Sequence, residues 1–140
     1  MNNKKYTVLI ADSDLHSVKK LEERFLIEGF RVFSVNSGRD AVLCMRKRNI
    51  NIAIIDVNLK DMKGYTIVPL LKDINKDIKV IITTFRNSVE LEGKCRETGI
   101  ILYAIKPLDY TQIVKITKSA QENHREFIDE LNDTTLAKSL

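Results

Sequence analysis

Tryptophan is absent, and cysteine, proline and histidine occur only twice each among 140 residues. Cys44 and Cys95 stand far apart, each in a helical pattern, so two reduced, partly buried thiols are expected rather than a disulfide or a metal pair. Glycine is scarce, with five residues, and none builds a Gly-rich phosphate loop after the first apolar run, which argues against a flavin or dinucleotide binder. No apolar stretch approaches the ~20 residues of a membrane span, and Met1–Lys5 is too polar to open a signal peptide, so no membrane contact and a cytoplasmic location are expected. An excess of one charge is also missing: 23 basic against 19 acidic residues leave a net +4. Without an extended basic run or aromatics interleaved with basic residues, direct nucleic-acid binding is not expected.

What the chain does have is hydrophobic content of 44%, enough for one domain with a single core. The run Ile52-Ala53-Ile54-Ile55 ends abruptly at Asp56, as a strand buried on both faces of a parallel sheet would. Thr7–Ala11 closes in the same way on Asp12-Ser13-Asp14, and a short strand is expected over Arg31–Val35. Val80–Thr83 reads as a fourth strand ending in Thr84, and Ile100–Ile105 as a fifth ending at Lys106-Pro107. Helices fall between the strands. Val18, Leu21 and Phe25 mark the first, with Gly29 as its stop; Ser37 and Asp40 open the second, over Ser37–Arg48. A third is expected over Tyr65–Ile74, bent at Pro69, and a weak fourth over Ser88–Thr98, with Gly93 in its interior. The last opens around Ile113, Ile116 and Ala120, and nothing before Asn132 stops it.

Strands alternating with helices, without a linker or repeat, imply the α/β class: a doubly wound parallel five-stranded sheet in a single domain over residues 1–120, with residues 121–140 as a polar helical extension or tail. Such sheets collect their chemistry at the carboxyl ends of the strands. Asp12, Asp56, Thr84 and Lys106 each stand at or just past such an end. Taken singly, a strand-end Asp is a cap and a strand-end Thr a matter of β propensity. Together at one edge the four suit phosphoryl chemistry. Carboxylates that repel one another attract an oxygen-seeking divalent ion such as Mg²⁺. Asp56 on the central strand is then the natural nucleophile toward phosphorus, Lys106 neutralises charge and the Thr84 hydroxyl donates to a phosphoryl oxygen. His16 and His124 read as solvated helix residues.

The pattern Val8-Leu9-Ile10-Ala11-Asp12, Ile54-Ile55-Asp56-Val57-Asn58-Leu59, Met62-Lys63-Gly64, Ile81-Ile82-Thr83-Thr84 and Lys106-Pro107 resembles the receiver domain of two-component response regulators, from about Tyr6 to Lys118. The resemblance implies a flavodoxin-like fold with strand order 2-1-3-4-5. It implies that Asp56 accepts a phosphoryl group from a histidine kinase or phosphotransfer protein, with Mg²⁺ bound by Asp12, Asp56 and the carbonyl of Asn58, in a switch that is not itself an enzyme. Thr84 and Tyr103 would form the switch pair. The face of helix 4, strand 5 and helix 5 would meet an output domain or partner, or a second copy in a homodimer.

The sequence departs from that family at three places. Ser13 replaces the second acid after strand one, and a hydroxyl is a poorer Mg²⁺ ligand than a carboxylate. Phe85 follows Thr84 where a small residue is usual, with Arg86 one further as a possible phosphate partner, and Lys60 replaces a common proline. These leave open a pseudo-receiver, an interaction module that works without phosphorylation. A haloacid-dehalogenase-type phosphatase is a more distant alternative: Asp12-Ser13-Asp14 matches its Asp-x-Asp, but Leu15-His16 stands where Gly-Thr is usual. Ile100–Leu102 is apolar where related sequences turn polar, which suggests partial exposure at a partner surface.

Overall fold

The computed structural model describes the backbone of residues 5–139 and the side chains of residues 5–133. In chain order the elements are β1 (Thr7–Ala11), α1 (Leu15–Ile27), β2 (Arg31–Val35), α2 (Gly38–Lys47), β3 (Ile52–Asp56), a 3₁₀ turn (Gly64–Thr66), α3 (Val68–Ile74), β4 (Lys79–Thr84), α4 (Val89–Glu97), β5 (Leu102–Ile105) and α5 (Tyr110–Ser139). All strand pairs are parallel and the order across the sheet is β2-β1-β3-β4-β5, as expected. The chain divides into two units, Met1–Tyr110 and Thr111–Leu140. Of the polar opening Met1–Lys5 only Lys5 is among the described residues.

In the first unit every residue of β1 and β3 is buried, which is why both read as unbroken apolar runs instead of alternating ones. Leu9, Ala11, Ala53, Ile55, Val80 and Ile82 project to one side, into a core completed by Ala41 and Met45 of α2, Val68 and Leu71 of α3 and Cys95 of α4. Burying each Leu, Ile, Val or Met side chain among them is worth ~1.5–3 kcal/mol. Ser37 and Ser88 cap α2 and α4, their hydroxyls accepting from the backbone N–H of Asp40 at 3.1 Å and of Leu91 at 3.0 Å. α1 ends at Ile27 with Glu28 as its cap, and Gly29 follows with a φ of 87° that suits glycine. Cys44 and Cys95 are free thiols, and burial pushes both above the usual thiol pKa.

Two expectations are corrected. Pro69 does not bend a helix: the 3₁₀ turn at Gly64–Thr66 is separate, α3 starts at Val68, and the proline sits in its first turn, where a missing N–H breaks no helical bond. β5 begins at Leu102, not Ile100. Ile101 still donates its N–H to Val80 O at 2.8 Å, but its side chain is 41% exposed.

The second unit is α5 beyond its first residue. It passes Asn132 and continues to Ser139, because Asn costs a helix only a fraction of a kcal/mol and no Gly or Pro intervenes. Within it the Thr117 hydroxyl donates to Ile113 O at 2.9 Å, and Phe127, Ile128 and Leu131 are exposed.

Candidate functional site

Asp12 and Asp56 are buried at the carboxyl ends of neighbouring strands, and Lys106, one residue past β5, reaches back between them. Its ammonium lies 2.8 Å from Asp12 Oδ2, 3.0 Å from Asp56 Oδ1 and 3.6 Å from Asp14 Oδ2. Its main chain is fixed by Lys106 N–H donating to Thr84 O at 2.7 Å, ahead of a cis Lys106–Pro107 peptide. Each carboxylate also accepts a main-chain N–H two residues on: Asp14 N to Asp12 Oδ1 at 2.9 Å, and Asn58 N to Asp56 Oδ2 at 3.0 Å. Three charges with side chains no more than 5% exposed are tolerable only because each is paired and hydrogen-bonded.

Burial pushes the Asp12 carboxyl above the usual carboxylate range, against the opposing hydrogen bond from Lys106. Burial by itself pulls Lys106 down, but Asp12, and after it Asp56, outweigh that pull and hold the ammonium above its ordinary value. The site proton therefore stays on the lysine through the neutral range. Asp14 lies below the usual range, chiefly because the Ser17 hydroxyl donates to it at 2.7 Å.

The loop after Asp56 folds back on itself. Gly64 N–H donates to Val57 O at 2.7 Å, Leu59 N–H to Met62 O at 3.2 Å, and Lys63 Nζ to Asn58 Oδ1 at 2.7 Å. A Cβ at Gly64 would land on the Asp56 carbonyl oxygen and 2.8 Å from Ile55 Cγ2, so the close approach requires glycine. Asp61 ties this loop to α2, its two oxygens accepting from Gly38 N at 2.7 Å and Arg39 N at 3.1 Å.

The sequence-expected residues do not all converge. Asp12, Asp56 and Lys106 do. The Thr84 hydroxyl instead donates to Arg86 O at 2.8 Å and accepts from Arg86 N at 3.1 Å, and Arg86 meets it through the main chain. The hydroxyl that reaches the phosphoacceptor candidate is Thr83, donating to Asp56 Oδ1 at 2.9 Å. The pleat explains this. Thr83 is the register partner of Asp56 and shares its face, whereas Thr84 shares the opposite face with Ile82 and Tyr103. Thr83 is thus a site residue that strand-end reasoning passed over; its position opposite Asp56 is the signal that finds it.

Tyr103 is buried in the core, its hydroxyl without a hydrogen-bond partner among the described residues and the Arg96 guanidinium 6.0 Å from its ring centre. Burial raises its pKa. A buried, unsatisfied hydroxyl is costly, so Tyr103→Phe is expected to raise the unfolding free energy by about 1 kcal/mol, measured by urea denaturation; a loss of stability would show that the hydroxyl is satisfied in solution. Phe85 is exposed, and its ring centre lies 4.6 Å from Lys106 Nζ.

The groups that the resemblance names as ligands, the carboxylates of Asp12 and Asp56 and the Asn58 carbonyl, are all oxygens, the donor type that Mg²⁺ takes. Ser13 stands beside them, its hydroxyl 3.3 Å from the Asn58 carbonyl to which it donates. Among the described residues no group of three or more His, Cys, Asp or Glu side chains is placed to hold a metal.

The family model of the response regulator receiver domain matches residues 8–118. Transcriptional regulatory protein ZraR of Escherichia coli O157:H7 is 31% identical over 113 residues, 81% of this chain and 26% of ZraR. The chain thus spans about a quarter of that relative's length. Sporulation initiation phosphotransferase F of Bacillus subtilis is 28% identical over 113 residues, 81% of this chain and 89% of that protein. Among solved structures, a CheY-like receiver domain protein from Methanospirillum hungatei JF-1 superposes with a TM-score of 0.80 at 22% identity, covering 88% of this chain and 99% of the other. The signal receiver domain of an HD domain-containing protein from Pseudomonas fluorescens Pf-5 gives 0.81 at 18% identity, with the same coverage. At such identities the superpositions speak for the fold. The family match spans all of the sheet but its first residue, Thr7, and every residue of the acidic site, and on it the chain belongs to the response regulator receiver domain family.

Proposed function

We propose that this chain is a cytoplasmic phosphorylation switch in which Asp56 accepts a phosphoryl group from a histidine kinase or phosphotransfer protein. The observation that carries this reading is one buried carboxylate on the central strand, held by the Lys106 ammonium at 3.0 Å, the Thr83 hydroxyl at 2.9 Å and the Asn58 N–H at 3.0 Å. A lone pair of an Asp56 carboxylate oxygen forms the new bond to phosphorus while the bond from phosphorus to the donor nitrogen breaks, and the bonding pair leaves with the donor. Lys106 keeps its proton and balances the negative charge gathered at the phosphorus, having been positioned before the reaction. Asp12, Asp56 and the Asn58 carbonyl would hold Mg²⁺, which when bound supplies further positive charge to the transferring phosphoryl oxygens. The switch role of Thr84 with Tyr103 requires the Thr84 hydroxyl to leave Arg86. The output is a change in protein contacts on the face containing α4 and β5, where Val89, Ile101 and Ile105 are exposed.

Intact-mass spectrometry after incubation with acetyl phosphate tests this. A phosphoryl adduct is expected that depends on Mg²⁺ and disappears in Asp56→Asn; an adduct surviving in that variant would move the acceptor elsewhere. A pseudo-receiver is favoured by two particular features, the hydroxyl of Ser13 in an acid's place and the Phe85 ring against Lys106. Ser13→Asp with Phe85→Ala is expected to accept phosphoryl groups at least several-fold faster, read as the initial rate of adduct formation. A wild type that takes up nothing beside a reactive double variant would establish the pseudo-receiver.

A further inference from the structure

At the opposite end of the sheet, where β1 and β2 begin, a recess of about 120 Å³ is lined by Lys5, Thr7, Arg31, Phe33, Arg48 and Asn49. Three cations meet there. The guanidinium carbons of Arg31 and Arg48 lie 5.6 Å and 4.8 Å from the Phe33 ring centre, so both heads are held over one half-buried aromatic. Among the described residues none of the three has a carboxylate partner. The parallel register that pairs Thr7 with Arg31 brings the first two together, and Arg48, the residue that caps the end of α2, brings the third.

Complementing the partial negative charge at the carboxyl end of α2 accounts for one cation there, and Arg46 and Lys47 in its last turn already serve that purpose. It does not account for Lys5 and Arg31 converging on the same recess. Like charges gathered without a counter-charge repel, and an anion between them converts that repulsion into attraction. Guanidinium forks match tetrahedral oxyanions, and stacking on an aromatic fixes them at little entropy cost. The volume selects the size. At about 120 Å³ it is well below the ~300–1,000 Å³ of sites for drug-sized ligands.

We propose that this recess is a binding site for a single phosphate-type oxyanion, with Arg31 and Arg48 as its forks, Lys5 as a point charge and Thr7 and Asn49 at its floor and rim. The site is separate from Asp56 and independent of whether that residue is phosphorylated. The ligand is either free phosphate or the phosphate group of a small phosphomonoester.

The test is a titration of the whole chain, without Mg²⁺, with inorganic phosphate and separately with glycerol 3-phosphate at constant ionic strength, followed by backbone amide NMR. Saturable shifts are expected at Thr7, Phe33 and Asn49, weakened at least ten-fold in Arg31→Gln/Arg48→Gln, with the amides of Asp12, Asp56 and Lys106 unmoved. Tighter binding of the phosphomonoester identifies a phosphorylated metabolite as the ligand, and tighter inorganic phosphate identifies the free ion. Equal shifts with chloride, or an undiminished response in the double variant with its remaining spectrum intact, would overturn the proposal. Should the double variant fold poorly, Lys5→Gln with Arg31→Gln leaves the α2 terminus untouched and is expected to lose affinity likewise.

Discussion

Lys106→Met is expected to lower the unfolding free energy by about 3 kcal/mol at neutral pH, because removing one partner of a buried ion pair strands the other charges. The ammonium stands 2.8 Å from Asp12 and 3.0 Å from Asp56, and without it two buried carboxylates face each other. The pH dependence follows from the direction of each shift. Asp12 titrates above its unfolded value, so the folded state holds that proton more tightly, and stability falls as pH rises from the ordinary carboxylate range through the folded pKa of Asp12. Removing Lys106 also removes the hydrogen bond that opposes this shift, so the fall becomes steeper. The lysine's own contribution, with its pKa raised, is complete below the ordinary lysine range and lost only as pH climbs through the raised value in alkali. The gap between wild type and variant should therefore be widest near neutrality and narrow on acidification. Urea unfolding at a series of pH values measures it. Mg²⁺ should return part of the loss, since the oxygens Lys106 occupies become free for it. A deficit that grew in acid, or none at all at neutrality, would contradict this account of the site.

Gly64→Ala should be nearly as damaging, at about 3 kcal/mol, the upper end for overpacking. The added methyl meets the Asp56 carbonyl oxygen and Ile55 Cγ2, and backbone cannot swing aside as a flexible side chain does. Because Gly64 N–H also donates to Val57 O, relief of the clash must open the turn that delivers Asn58 N–H to Asp56 Oδ2. The variant should thus lose stability and also accept phosphoryl groups more slowly under conditions where it remains folded. Gly93→Ala is the natural control, since a Cβ there meets nothing and Ala is the better helix former. Equal stability of Gly64→Ala and wild type in urea would show that the turn has slack the geometry does not suggest.

Much of this protein is legible along the chain. Unbroken apolar runs at Thr7–Ala11 and Ile52–Ile55 are the mark of strands covered on both sides, and an acid after each marks the edge where chemistry gathers. Ser37 and Ser88 announce helix starts through local hydrogen bonding, which needs no tertiary context. Membership of the receiver family sets aside the phosphatase and flavin-binder alternatives. Local reasoning misplaced the third helix because of a neighbouring turn: Pro69 looked like an interior kink only while Gly64–Thr66 was counted in the same helix.

The sequence by itself determined the order of elements, the sheet's burial and the triad Asp12, Asp56 and Lys106, because periodicity and strand-end position are properties of neighbouring residues. Tertiary structure decided which of two adjacent threonines serves Asp56, that Gly64 must lack a side chain, and that Lys5, Arg31 and Arg48 share a recess. Those depend on register and on backbone approach across distances in sequence. A single residue of slip would exchange Thr83 for Thr84 without altering a letter of either strand's pattern.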